Sequence, residues 1–151
     1  MFKAIARTAA LLMLVIGITG FADVASAEDG DHKLAIYVTK NDEHSMRAAL
    51  DIAVNVTKHY TEQGEFVDIR IVLFNRGMHM LRTDTSPVLK RLKSFEQSMP
   101  DVVFVGCGNT MDTMARSEGK RPPLIDNVEM VQAGVTELIR LDEAGWTLVR
   151  P

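Results

Sequence analysis

The chain has one cysteine, Cys107, and the residues around it make this thiol the first candidate for chemistry. The apolar residues 102–106 predict a buried strand that ends at the thiol, and the glycines on either side, Gly108 among them, leave the sulfur uncrowded. Asn109 and Thr110 then begin a predicted helix, whose first turn has backbone N–H groups without helical partners. Such donors lower the pKa of a thiol and can hold a persulfide or a small oxyanion. A buried cysteine that acts as a small apolar side chain is the alternative interpretation.

The imidazole of His79 is the second candidate group. It follows the predicted second strand, and the carboxyl ends of parallel strands meet at one edge of a sheet. An imidazolium at that position could lower the pKa of Cys107 or relay a proton. Asn75, at the end of the same strand, is a candidate ligand-binding residue. A histidine that faces water from a loop is the alternative interpretation for His79.

The tripeptide Met78-His79-Met80 raises the question of a copper site, since thioether and imidazole ligands suit Cu(I). Cys107 could join them. We favour the interpretation that Met78 and Met80 are core side chains under the loop, and therefore expect no metal and no cofactor. The sequence has no G-x-G-x-x-G after a strand, no Walker loop and no H-E-x-x-H.

The N-terminal residues have the pattern of a secretory signal peptide. Two basic residues precede the apolar run 9–18, and Ala25-Ser26-Ala27 is a small-residue cleavage site. The apolar run is too short for a confident membrane span, which needs about 20 residues. We therefore expect residues 1–27 to be removed, which leaves residues 28–151 as a single periplasmic domain with no membrane contact. Retention of the run as an uncleaved anchor is the alternative.

Composition and charge narrow the class of function further. The chain has 151 residues and a formal net charge of −3 at pH 7, with no long basic run, so nucleic-acid binding is disfavoured. A single cysteine excludes an intramolecular disulfide. In an oxidising compartment an odd thiol indicates an intermolecular bridge or a reactive site.

Apolar periodicity predicts five strands that alternate with helices. The strands are predicted at residues 34–38, 66–74, 102–106, 128–131 and 146–149, and helices at about 43–62, after Ser86-Pro87, from 109 to about 119 and at 135–144. This alternation predicts a three-layer α/β fold with a mainly parallel five-stranded sheet and helices on both faces. The loops 39–44, 75–81 and 107–110 follow three of the strands, so we expect them to converge on one crevice.

Several segments of the chain resemble the DsrE/DsrF-like proteins of intracellular sulfur metabolism, whose fold is also called YchN-like. The resemblance runs over about residues 33–151 and is carried by Met78-His79-Met80-Leu81-Arg82, Asp84-Thr85-Ser86-Pro87, Cys107-Gly108-Asn109-Thr110-Met111 and residues 133–146. It implies a small α/β fold with a parallel sheet, assembled into homotrimers or hexamers. It also implies a cysteine that binds sulfur as a persulfide and passes it to a partner protein.

The residues and the resemblance together predict an exported, sulfur-handling protein, either a sulfur carrier or a sulfurtransferase. Cys107 would be the nucleophile and persulfide carrier, His79 would tune its thiol, and the partners would be a sulfur donor or acceptor protein. Four residues would hold the sulfur or its anion: Asn75, Gly108, Asn109 and Thr110. The alternative is a non-catalytic oligomeric module that binds a small ligand or a partner, with Cys107 only lining the crevice.

Overall fold

The computed structural model describes residues 32–151, and it confirms the alternation of strands and helices. The elements are β1 (His32–Val38), α1 (Glu43–Gln63), β2 (Val67–Leu73), a 3₁₀ helix (Asn75–Leu81), α2 (Leu89–Ser98), β3 (Val103–Cys107), α3 (Gly108–Glu118), β4 (Val128–Val131), α4 (Gly134–Glu143) and β5 (Thr147–Val149). The predicted signal peptide, residues 1–27, lies outside the described residues. None of the described helices has the length and apolarity that a bilayer crossing requires.

The five strands form one all-parallel sheet in the order β4-β3-β2-β1-β5. The first three crossovers step in one direction across the sheet, and the fourth returns from β4 to the opposite edge. Because such crossovers are right-handed, α4 lies on the face opposite α1, α2 and α3. The rings of Phe95 in α2 and Phe104 in β3 meet at 5.9 Å on one face, and Gly134 of α4 packs on Phe74 on the other. The predicted three-layer α/β fold is therefore confirmed.

The core lies on both sides of the central strands. Ile36 of β1 pairs with Ile71 of β2, and both side chains are fully buried. Apolar runs without alternation are what a sheet covered on both faces requires. Helix α1 covers these strands with residues at i, i+3, i+4 and i+7 spacing: Met46, Ala49, Leu50 and Ala53.

The start of α2 differs from the sequence-based expectation. Ser86-Pro87 predicts an N-cap and a first helical residue, yet the helix begins at Leu89. The backbone of Val88, at φ −116° and ψ 13°, is not yet helical, so the preceding residues form a turn. The Ser86 hydroxyl accepts the N–H of Val88 at 3.3 Å. The serine therefore caps this turn, not the helix.

Candidate functional site

A crevice opens where the crossovers change sides. The chain leaves β3 for α3 on one face and leaves β4 for α4 on the other, and parallel α/β sheets form ligand crevices at such points. The cavity here has a volume of about 660 Å³. Its lining residues are Phe74, Asn75, Arg76, Cys107, Asn109, Thr110, Thr113, Met114, Ala133, Gly134 and Val135.

The loops 39–44, 75–81 and 107–110 are expected to meet at one crevice, and this prediction is wrong for the loop 39–44. Residues that follow β2 and β3 do meet at the cavity, but the loop after β1 lines a separate space of about 250 Å³ beside the end of β5. The strand order explains this, because β2 separates β1 from β3. The third segment at the cavity is instead the one that follows β4, which contributes Ala133 and Gly134.

Cys107 is the last residue of β3, and only 5% of its surface is exposed. Its backbone N–H donates to Met78 Sδ at 3.4 Å, and its Sγ lies 4.0 Å from the carbonyl oxygen of Gln132. The same residue lines the cavity. Cys107 is therefore packed by protein on most sides and borders the cavity.

The surroundings of Cys107 act on its pKa in opposite directions. Burial by itself raises the pKa of the thiol, because a buried thiolate loses hydration. Hydrogen bonds from the Thr110 hydroxyl and from the backbone N–H groups of Gly134, Thr110 and Asn109 outweigh burial and hold the pKa of Cys107 below its ordinary value. These donors belong to the first turns of α3 and α4. Two helix N-termini thus favour the nucleophilic thiolate.

Asn75 positions the hydroxyl of Thr110. Its backbone N–H donates to Thr110 Oγ1 at 3.0 Å, which leaves the hydroxyl proton free for an acceptor. The Thr110 hydroxyl is one of the groups that lower the pKa of Cys107. Asn75 has φ 51°, the one left-handed backbone conformation among the described non-glycine residues. Asparagine tolerates that conformation better than most residues. A strained backbone at the edge of a cavity is typical of functional sites.

Gly108 and Asn109 hold the loop after β4 against α3. The N–H of Asn109 donates to the carbonyl of Gln132 at 3.0 Å, and Gln132 Nε2 donates to Asn109 Oδ1 at 2.6 Å. A Cβ on Gly108 would lie 3.1 Å from the carbonyl oxygen of Val131. These contacts fix the distance between the N-termini of α3 and α4. They thereby fix the positions of the N–H donors around the Cys107 thiol.

His79 lies in a different cluster. It is not among the described residues that line the cavity, and its Nδ1 is 3.1 Å from Thr85 Oγ1. Burial, and after it the Arg82 guanidinium, hold the pKa of His79 below its ordinary value, which disfavours the imidazolium. The structure therefore brings Asn75, Cys107 and the first turn of α3 together, but it leaves His79 outside.

The methionines beside His79 are core residues, as the sequence predicts. Met78 and Met80 are fully buried. Over residues 32–151, no group of three or more histidine, cysteine, aspartate or glutamate side chains is arranged to hold a metal ion.

Sequence reasoning missed Gly134, whose N–H reaches the thiol, and Arg76, which lines the cavity. Gly134 lies three residues after the end of β4 and directly before the helix that the sequence predicts at residues 135–144. The strand order places the start of α4 beside Cys107, and the sequence pattern does not reveal that order. The apolar side of the cavity was missed for the same reason; it consists of Phe74, Met114, Ala133 and Val135.

Comparison with known proteins establishes the fold class alone. No family model matches the chain, and no curated protein matches it. It is similar to a solved structure of a protein of unknown function, MTH1491 from Methanobacterium thermoautotrophicum, with a TM-score of 0.67 and 24% sequence identity. The similarity covers 80% of this chain and 100% of that one.

Proposed function

We propose that this protein is a periplasmic sulfur carrier, in which Cys107 accepts a sulfane sulfur and holds it as a persulfide for a partner protein. One observation carries the proposal. The thiol lines a cavity, and N–H groups from two helix N-termini with the Thr110 hydroxyl stabilise its thiolate. The resemblance of residues 33–151 to DsrE/DsrF-like proteins supports the sulfur chemistry, and the pattern in residues 1–27 supports the location.

Loading the sulfur needs no oxidant. The Cys107 thiolate attacks the outer sulfur of a donor R–S–SH, a new S–S bond forms, and the old one breaks. The electron pair of the broken bond leaves with the donor as R–S⁻, and the proton stays with the transferred sulfur until the persulfide ionises. The same N–H donors that hold the thiolate can then hold the terminal persulfide anion.

Unloading is the same reaction in reverse. An acceptor thiolate attacks the terminal sulfur, and the electron pair returns to Cys107. A thiol with a low pKa leaves faster in such exchanges, so the hydrogen bonds that activate Cys107 for loading also favour release. The lowered pKa of Cys107 therefore favours both the loading and the unloading of sulfur.

A two-stage assay tests the carrier role. The purified protein is treated with inorganic polysulfide, freed of excess reagent, and then given a small thiol, while intact mass is followed. We expect a gain of about 32 Da for one sulfur on a thiolate-dependent time course, then its loss to the thiol. A thiol that gains no sulfur, and resists alkylation until the protein unfolds, contradicts the proposal.

The second candidate function is a non-catalytic binding module. The cavity favours it, because about 660 Å³ is within the usual range for small-molecule sites and far exceeds one sulfur atom. In that function Cys107 only lines the wall. A Cys107→Ser variant that keeps all ligand binding, in a protein that does not load sulfur, would establish this alternative.

A further inference from the structure

The cavity at Cys107 is much larger than its proposed cargo. A water molecule occupies about 30 Å³ in the liquid, and a sulfur atom is of similar size. A cavity of about 660 Å³ is roughly twenty times larger. The cavity therefore has room for a larger ligand than the transferred sulfur atom. The residues that line it indicate the chemical class of that ligand.

The lining has an apolar wall and a polar part. The apolar wall is formed by Phe74, Met114, Ala133 and Val135, from the end of β2, from α3 and from the start of α4. Val135 is 53% exposed, which leaves apolar surface open to an occupant. A bare inorganic anion would leave this wall uncovered, whereas a short carbon skeleton would cover it.

Arg76 supplies a positive charge on the same cavity. Its side chain is exposed, and within residues 32–151 no carboxylate lies within salt-bridge distance of it. The neighbouring arginine in the chain, Arg82, is by contrast bound to two carboxylates. A guanidinium left without a carboxylate partner can bind a carboxylate from a ligand with charge-assisted hydrogen bonds.

We infer that the sulfur donor of this site is a small organic persulfide that carries a carboxylate. Its carbon skeleton packs on the apolar wall, its carboxylate binds Arg76, and its outer sulfur faces Cys107. This inference rests on the proposed carrier role and adds the class of donor. The products of the step are the Cys107 persulfide and a small carboxylate-bearing thiolate, so atoms and electrons balance without a further reagent.

A matched pair of donors tests this substrate class. The hydropersulfides of N-acetylcysteine and of its neutral carboxamide differ only in the charge that Arg76 would bind. Rates of persulfide formation on Cys107, followed by intact mass, are compared as the ratio of the two donors within each protein. The ratio cancels differences in thiol reactivity between variants, so it reports recognition of the carboxylate.

In the wild-type protein we expect the carboxylate donor to react roughly tenfold faster, the effect of about one charge-assisted hydrogen bond. Arg76→Gln should bring the ratio to one or below. Arg150→Gln removes an exposed charge at the separate cavity beside β1, and should leave the ratio unchanged.

Each remaining outcome has a distinct meaning. Equal rates for the two donors in the wild-type protein overturn the substrate class and leave the carrier role standing. Loading by inorganic polysulfide but by neither organic donor also overturns the substrate class and leaves the carrier role standing. If neither organic donor nor polysulfide loads Cys107, the carrier role itself is wrong, and the inference falls with it.

Discussion

At the scale of single residues, the reactivity of Cys107 depends on a balance between burial and hydrogen bonding. Burial alone would keep the thiol protonated, as in a core cysteine. The Thr110 hydroxyl and the N–H of Gly134 reverse that balance. Asn75 contributes indirectly, because its N–H occupies the Thr110 oxygen and leaves the hydroxyl proton for the sulfur.

Replacing the hydroxyl should weaken the thiolate. In Thr110→Val we expect the pKa of Cys107 to rise towards its ordinary value, since one donor to the anion is lost while burial remains. The alkylation rate at pH 7 should then fall by up to roughly tenfold, the worth of a hydrogen bond to a charged group. The measurement is the iodoacetamide rate against pH, whose midpoint should move to higher pH.

Thr113→Val is the matched control for that experiment. Thr113 lines the same cavity, but its hydroxyl donates to the carbonyl of Asn109 at 2.9 Å and is not among the groups that act on the thiol. We expect its alkylation profile to match the wild type. Equal profiles for Thr110→Val and the wild type would show that the hydroxyl does not stabilise the thiolate.

At the scale of elements, the segment between β2 and α2 is held at two points that do not touch the cavity. Gly77 lies against β1, where a Cβ would be 2.1 Å from the carbonyl oxygen of Val38. Arg82, with 4% of its side chain exposed, binds Asp84 nearby and Glu118 at the end of α3. These contacts fix the 3₁₀ helix, which begins at Asn75.

Gly77→Ala should destabilise the fold by about 2–3 kcal/mol, because backbone atoms of β1 would have to move. Gly119→Ala is the comparison, since a Cβ there meets nothing within 4 Å and only its left-handed φ of 70° is unfavourable. We expect about 1 kcal/mol for that variant. Urea unfolding measures both, and equal losses would contradict the close contact at Gly77.

Arg82→Met should lower the free energy of unfolding by about 2 kcal/mol, because two carboxylates lose a buried partner. Arg121→Met removes an exposed pair with Asp112 and should cost less than 1 kcal/mol. A Tm comparison separates the two variants. A loss for Arg121→Met as large as that for Arg82→Met would show that burial does not set the strength of the Arg82 contacts.

The acid stability of the wild type should reflect the same contact. The Arg82 guanidinium holds the pKa of Asp84 at about 2, below its ordinary value of 3.8. A carboxyl whose folded pKa is depressed stabilises the fold above its unfolded pKa, and this contribution is lost as pH falls from about 4 through 2. In Arg82→Met, unfolding followed by circular dichroism should depend less on pH across this window. An unchanged dependence would contradict the pairing.

Sequence patterns predicted these elements well and their arrangement less well. Helix α1 is visible in a short stretch of sequence, because burial of one helix face gives apolar residues a helical spacing. The buried residues of that face are Met46, Ala49, Leu50 and Ala53. The site depends on which strands are neighbours, and no local pattern encodes that. For this reason the sequence pattern predicts His79 and the loop 39–44 at the site and gives no signal that Gly134 and Arg76 belong to it.

At the scale of the whole molecule, α4 is the one described α-helix on its face of the sheet, and it leaves apolar side chains uncovered. Val135 and Ile139, one turn apart, are 53% and 54% exposed. Val135 also lines the cavity. We propose that the surface around Ile139, which does not line the cavity, joins copies of the chain and leaves Val135 open to the cavity. This is in line with the homotrimer or hexamer that the family resemblance implies.

A charge on this face should disrupt the assembly. We expect light scattering after size exclusion to give a trimeric or hexameric mass for the wild type and a monomeric mass for Ile139→Lys, since a charge would be buried between copies. Val54→Lys, on α1 at 39% exposure, is the control and should keep the wild-type mass. A monomeric wild type would contradict the assembly.

The proposed function depends on one step, in which the Cys107 thiolate itself accepts sulfur. The most direct measurement is the intact mass of the wild type and of Cys107→Ala, side by side, after treatment with a sulfane-sulfur donor at pH 7. We expect a reductant-sensitive gain of about 32 Da in the wild type alone, mapped to the peptide that holds Cys107. The same gain in both proteins, or in neither, would contradict it.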